Sequence, residues 1–259
     1  ITHNEPWVFT FVGYAFGAHA PGLTDNAAAY RAAHNALLSH GKAVPIIRQN
    51  VPNAKVGITI AIPEFQPETD SAEDAAAVER QRDFHPRWFL DPLFTGTYPA
   101  ELAAMVSQLD NVNLDGIEQA KVELDFLGVN HYSRFIIKHD ESNPPGNMSH
   151  VTIPDVERTT MDWEVYPQGM YNVLKQTYAD YAPKEIYITE NGAAFVDPAP
   201  ENGVVDDPKR TSYLREYFKM AQKAIEDGVP LKGYFVWSFL DNFEWRMVTP
   251  SVSASSMSI

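Results

Sequence analysis

Runs of β-branched and aromatic residues alternate along this chain with stretches of helical periodicity, and that alternation constrains the fold more than any other feature. Val56 to Ile62 (VGITIAI), Leu124 to Tyr132 (LDFLGVNHY), Ile186 to Glu190 (IYITE) and Leu231 to Ser238 (LKGYFVWS) read as strands. Tyr30, Ala33, Leu37 and Leu38 recur at turn spacing behind Thr24-Asp25-Asn26, which predicts a helix to about Arg48. Ser71-Ala72-Glu73-Asp74 is a capping-box pattern that opens a helix toward Phe84. Another helix runs from about Thr211 to Asp227 and stops at Gly228-Val229-Pro230. Strands alternating with helices predict an α/β protein with a largely parallel sheet.

A closed (β/α)8 barrel needs eight strands. Four clear ones, roughly 50 to 70 residues apart, make about half of one. With 259 residues, 44% of them hydrophobic and 12% aromatic, the chain has material for one large core. No apolar run is long enough to span a bilayer and no signal-like leader is visible, so no membrane partner is expected. The chain opens on Ile1 rather than methionine, as a processed or cut chain would. Its net charge is −14, from 34 acidic and 20 basic residues, and no basic cluster offsets it, which argues against a nucleic-acid partner. The absence of cysteine excludes disulfides, thiol nucleophiles and cysteine-ligated metals, and fits a reducing, cytoplasmic setting.

Glu190 ends an apolar strand before the turn dipeptide Asn191-Gly192, and Glu5 sits in Asn4-Glu5-Pro6-Trp7, where a chain also leaves a strand. The carboxyl ends of parallel barrel strands line one face, so these glutamates can converge although 185 positions separate them. Two carboxylates about one glycosidic bond are the minimum equipment for its hydrolysis. From position alone, a turn cap or a surface ion pair is the commoner role for each. Other chemistries lack their residues. No His/Asp/Glu cluster has metal-ligand spacing, and there is no phosphate loop or Gly-x-Ser-x-Gly elbow, so neither metal nor cofactor is expected. His34 reads as a packed histidine, and Glu79-Arg80-Gln81-Arg82-Asp83 as a solvated helix face.

Three motifs carry a resemblance. Thr2-His3-Asn4-Glu5-Pro6-Trp7 is similar to the acid/base motif of glycoside hydrolase family 1, with His3 where an apolar residue is usual. Ile186-Tyr187-Ile188-Thr189-Glu190-Asn191-Gly192 resembles its nucleophile motif. Phe235-Val236-Trp237-Ser238, followed by Leu240-Asp241-Asn242-Phe243-Glu244-Trp245, resembles its sugar-binding segment. Trp88-Phe89-Leu90-Asp91-Pro92-Leu93 and Phe126-Leu127-Gly128-Val129-Asn130 fit between them.

The resemblance implies a partial (β/α)8 TIM barrel, about the last four to five βα units, over 1–245. It also implies a retaining, double-displacement β-glucosidase with Glu190 as nucleophile and Glu5 as acid/base, the charge on Glu190 favouring a protonated Glu5. Asn4 would bind the sugar 2-hydroxyl, Tyr132 would orient the nucleophile and Asn130 would lie on the same face, with His131 on the other. Trp237 would underlie the glycone, Glu244 and Trp245 would bind outer hydroxyls, and Trp163 would wall the aglycone site, although Asp162 stands where glycine is common. The substrates implied are small β-glucosides or cello-oligosaccharides.

Two departures qualify the expectation. A glutamine and a His-Trp pair, which hold glycone hydroxyls in the family's N-terminal half, have no counterpart here. After Trp245, residues 246–259 form a serine-rich, non-family tail without amphipathic period, expected to be disordered. An open half-barrel would expose sheet edges and apolar surface, predicting a homo-oligomer or a complementing N-terminal half. The alternative to an enzyme is a catalytically incompetent fragment acting as a weak sugar-binding module.

Overall fold

The structure, a computed structural model, describes residues 1–238 and residue 240. In chain order its regular elements are α1 (Asn26–Asn50), β1 (Gly57–Ala61), β2 (Glu64–Pro67), α2 (Ala72–Arg82), α3 (Trp88–Phe94), α4 (Ala100–Val106), β3 (Phe126–Asn130), β4 (Arg134–His139), β5 (Met148–Val151), α5 (Gln168–Tyr181), β6 (Ile186–Glu190), α6 (Pro208–Glu226) and β7 (Leu231–Tyr234). A wide helical turn, Val8–Ala15, precedes α1.

The four expected strands form one parallel sheet in the order β1-β3-β6-β7. The N-terminal segment extends it as a fifth rung. Thr2 N donates to Gly57 O, Thr59 N to His3 O and Glu5 N to Thr59 O, each at 3.0 Å, with Asn4 bridging Thr59 in parallel sense. This is the four-to-five-unit partial α/β barrel that the motifs imply.

Alternation explains the two faces of the sheet. Ile58, Ile60, Leu127, Val129, Ile186 and Ile188 are essentially buried, in one cluster with Leu37 of α1, Trp88 and Phe89 of α3, Leu174 of α5 and Tyr217 of α6. The opposite face carries Phe126 and Tyr187 near the strand starts and becomes small and polar toward the carboxyl ends. Gly128 lies between Thr59 and Thr189, where any Cβ would overlap the Thr59 hydroxyl, so only glycine fits that layer.

Local signals placed the helix starts well. Asp25 accepts from Ala28 N at 2.9 Å and Ser71 from Asp74 N at 3.1 Å, each satisfying an orphan amide of the first turn. His34 packs as expected, with Nδ1 3.0 Å from the Tyr98 hydroxyl.

Several elements differ from the sequence reading. The second strand ends at Asn130 rather than Tyr132, and the fourth at Tyr234 rather than Ser238. Helix α5 was not anticipated. A small side sheet was not either: β2 pairs in parallel with β4, and β4 antiparallel with β5. That sheet corrects the view of Glu79 to Asp83 as a solvated face. Gln81 is buried, and Arg80 docks the β4–β5 hairpin through Gly146 O at 2.8 Å and Asn147 O at 2.9 Å.

Two buried histidines make stability pH-dependent. His85 Nε2 donates to Ala61 O and His131 Nδ1 to Ile62 O, both at 2.8 Å. Burial pushes their imidazoles down to about 3 and about 4, respectively. The folded chain therefore keeps them neutral, while unfolded histidines gain protons below about 6.5. The unfolded state then binds more protons, so stability falls as pH drops below that value, by up to about 1.4 kcal/mol per unit per histidine. The urea midpoint is expected to fall between pH 6.5 and 5, above most carboxylate titration. A flat midpoint there would contradict neutral burial.

Candidate active site

The carboxyl ends of the parallel strands bring the candidate residues together. Glu5 leaves the sheet with φ +48°, a left-handed conformation costing a non-glycine residue about 1–2 kcal/mol. Its surroundings enforce that turn: Glu5 N is tied to Thr59 O, and Glu5 O accepts from Val8 N at 2.9 Å as the next helical turn begins. Non-glycine residues held in this conformation cluster at functional sites, which makes Glu5 a candidate.

Asn130, at the end of β3, is the hub. Its Nδ2 donates to Glu5 Oε1 at 2.9 Å and to Asn4 Oδ1 at 3.2 Å. Its Oδ1 accepts from the Thr189 hydroxyl at 2.6 Å, so both ends of the amide are engaged and its orientation is set. The β3–β6 register shifts between Val129 and Asn130, pairing Asn130 with Glu190 rather than Thr189. Irregularities of this kind re-aim side chains beside functional sites. Here the shift lets Thr189 face Asn130 while Glu190 reaches the next residue pair. The Tyr132 hydroxyl donates to Glu190 Oε2 at 2.7 Å, and its ring lies 4.9 Å from that of Trp163.

A lattice of amides and hydroxyls holds this arrangement from behind. Asn191, fully buried, donates Nδ2 to His131 O at 2.8 Å and to the Tyr213 hydroxyl at 3.0 Å, and accepts at Oδ1 from Tyr234. The hydroxyls of Tyr217 and Tyr213 both donate to Tyr132 O, at 3.1 and 3.3 Å. Trp237 N donates to Asn191 O at 2.9 Å, and Gly192 has no side chain because a Cβ would overlap the Trp237 carbonyl. The Trp237 side chain is 44% exposed, which suits an open platform and not a core residue.

Asn4, Glu5, Asn130, Tyr132, Trp163, Glu190 and Trp237 thus occupy one end of the sheet. Glu244 and Trp245 lie outside the described residues, as do 246–259. His131 turns to the other face, as expected, and is buried. Asp162 has φ +60°, which explains why glycine suits that position and why aspartate, tolerant of left-handed geometry, can replace it. His3 meets Ser39 at 2.8 Å through Nε2, a polar contact where the motif usually has an apolar residue.

Sequence reasoning missed Thr189 and Asn191, although both flank Glu190 in its motif. It also missed the tyrosines of α6; their spacing of one turn, Tyr213 to Tyr217, was the available signal. Among the described residues, no three or more His, Asp or Glu side chains are grouped to hold a metal, and no helix is long and apolar enough to cross a membrane.

Comparison with known proteins accords with this geometry. The model of Glycosyl hydrolase family 1 matches residues 1–249. Beta-glucosidase A of Thermotoga maritima is 43% identical over 247 residues, covering 95% of this chain and 55% of the relative. Beta-glucosidase A of Acetivibrio thermocellus is 40% identical over 249 residues, covering 94% and 55%. The solved Thermotoga maritima β-glucosidase in complex with deoxynojirimycin superposes with a TM-score of 0.89 at 42% identity, over 93% of this chain and 55% of that one. The chain spans about half the length of these relatives. Its parallel sheet, its two motif-borne glutamates at one end of that sheet and a family match along nearly its whole length agree: the chain belongs to glycosyl hydrolase family 1.

Proposed function

We propose that this chain carries the catalytic carboxylates of a retaining β-glucosidase that releases terminal β-D-glucosyl residues from small β-glucosides or cello-oligosaccharides. One observation carries the reading: Glu5 and Glu190 are both held by the end of β3, through Asn130 and Tyr132. Two carboxyl groups converging on one end of the sheet are what double displacement requires. The β-glucosidase relatives support the glucosyl preference.

In the first step, Glu190 attacks the anomeric carbon while the glycosidic C–O bond breaks, and Glu5 gives its proton to the departing oxygen. The Tyr132 hydroxyl occupies Glu190 Oε2, so the other oxygen is presented to the sugar. In the second step, Glu5 takes a proton from water, which attacks the same carbon and frees Glu190. Asn4 and Trp237 would hold the glycone, Asn4 at its 2-hydroxyl and Trp237 under the ring, with Trp163 on the aglycone side. Glu244 and Trp245 complete the proposal from outside the described residues.

The test is exposure of the chain to an activated 2-deoxy-2-fluoro-β-glucoside, which forms the glycosyl ester but hydrolyses it slowly. Addition of one fluorosugar, mapped to the Glu190 peptide, is the expected result. An unchanged mass would overturn the enzymatic reading in favour of a sugar-binding fragment.

Assembly is the second part of the proposal. Phe235, Val236 and Leu240, beside β7, are 58%, 40% and 62% exposed and place apolar side chains together at one edge of the sheet. A second copy or a complementing half would cover it. Sedimentation is expected to show self-association of the purified chain, and a compact monomer would count against it.

A further inference from the structure

The polar groups behind the carboxylates form one connected set. Arg134 grips Glu164 through Nε at 3.0 Å and Nη2 at 2.8 Å, donates Nη1 to Gln66 Oε1 at 2.6 Å, and lies 3.8 Å over the Tyr166 ring. Gln66 Nε2 then donates to Glu64 Oε1 at 2.8 Å, and Asn172 Nδ2 donates to the same oxygen at 2.6 Å. The set therefore runs from the loop that carries Trp163 to Glu64, the first residue of β2. There it stops. Glu64 Oε2 has no hydrogen-bond partner, although the residue is only 7% exposed. A carboxylate oxygen buried without a donor is costly.

His131 is the matching case. Its Nδ1 donates to the Ile62 carbonyl, which can only accept, so Nε2 is the acceptor of a neutral imidazole. Burial, which depresses the imidazole to about 4, keeps it so at neutral pH. The residue is 1% exposed and Nε2 is unpartnered.

Both acceptors close on one point beside Gly169. The point that a Cβ on Gly169 would occupy is 2.9 Å from Glu64 Oε2 and 3.0 Å from His131 Nε2. Gly169 lies in the first turn of α5 and its φ is not positive, so backbone conformation does not demand glycine there. The notch between the two acceptors does. A carboxylate and a neutral imidazole both accept, and the smallest group that satisfies both without changing the protonation of either is a double donor, water.

We propose that a water held over Gly169 bridges Glu64 and His131 and makes both residues positioning groups for the Glu190–Tyr132 pair. The inference rests on the glycosidase reading above. His131 N donates to Glu190 O at 3.0 Å, His131 O accepts from Asn191, and the next residue is Tyr132, which holds the Glu190 carboxyl. Anchoring the imidazole therefore anchors three backbone and side-chain contacts about the nucleophile. It also ties them to the loop beside the leaving group, because Glu164 directly follows Trp163.

Two measurements test this. A crystal structure of the chain is expected to show a water within about 2.7–3.2 Å of both atoms. A dry notch, or direct Glu64–His131 contact, overturns the bridge whatever the activity. The positioning role is read from Gly169→Ala, which fills the notch. Labelling of Glu190 by the fluoroglucoside is expected to slow about tenfold at saturation, with little change in half-saturating concentration; the crowding at Gly169 lowers the urea midpoint as well, so rates are compared where both proteins are fully folded. His131→Phe should behave alike. Glu64→Gln retains the Oε1 acceptor and places an amide donor toward the notch, so it should retain most of the rate. Equal labelling of wild type and Gly169→Ala overturns the positioning role. Absence of labelling in the wild type overturns the glycosidase reading and the positioning role with it, and leaves the bridge to be decided by the density.

Discussion

Replacing Glu190 with glutamine is expected to lower hydrolysis of an aryl β-glucoside by on the order of 10⁴-fold or more. The amide is nearly isosteric and can still accept from Tyr132, so the fold and the 2.7 Å contact survive. What disappears is the negative nucleophile, and with it the covalent intermediate through which the reaction is divided into two lower barriers. Binding of a substrate-sized sugar should change little, because loss of a group that acts in the transition state appears in kcat rather than KM. Assays of both proteins at saturating substrate check this. Equal residual rates in the two would show that Glu190 has no chemical role, and a KM effect alone would reassign it to binding.

Glu5→Gln is expected to give the second largest effect, and one that depends on the leaving group. For a poor leaving group, which needs a proton as the bond breaks, glycosylation should slow by about 10²–10⁴-fold. For a dinitrophenolate, which departs as a stable anion, that step should be nearly unaffected. The glycosyl ester should then accumulate, since no base remains to activate water. Azide, needing no deprotonation, should attack the anomeric carbon, release Glu190 and yield a β-glucosyl azide. A uniform loss across leaving groups, with no azide product, would sink the acid/base assignment. Asn130 would otherwise confuse the result; its Nδ2 donates to Glu5 Oε1, and glutamine can present its own carbonyl oxygen to that donor.

These two outcomes differ in what else could produce them. A folding defect would lower both activities without regard to leaving group, whereas the chemical roles predict selective and separable losses. Both glutamates are tied into the end of one strand, so either substitution tests that arrangement as well as one residue.

The chain's own sequence pointed to the candidate residues and marked the four strands of the main sheet. Ile186 to Glu190 is a strand with the bounds its β-branched pattern predicts, because a buried parallel strand is an uninterrupted apolar run stopped by a turn. Capping residues Asp25 and Ser71 announced their helices because a cap is a contact within four residues. The side sheet was not legible. Strands β2 and β5 have four residues each, too few to show a period, and exist only by pairing with β4.

Tertiary structure decided everything that depends on register. Asn130 meets Glu5 across 125 positions and Thr189 across 59, contacts that no local pattern encodes. One register shift between β3 and β6 determines that Thr189 faces Asn130 while Glu190 reaches Tyr132, and a slip of one residue would reverse which face each occupies. The left-handed turn at Glu5 and the buried directions of Glu64 and His131 are also enforced by surrounding packing, against local preference. Periodicity and capping are short-range and can be read along a chain. The aim of a carboxylate is set by neighbours brought together only when the sheet has formed.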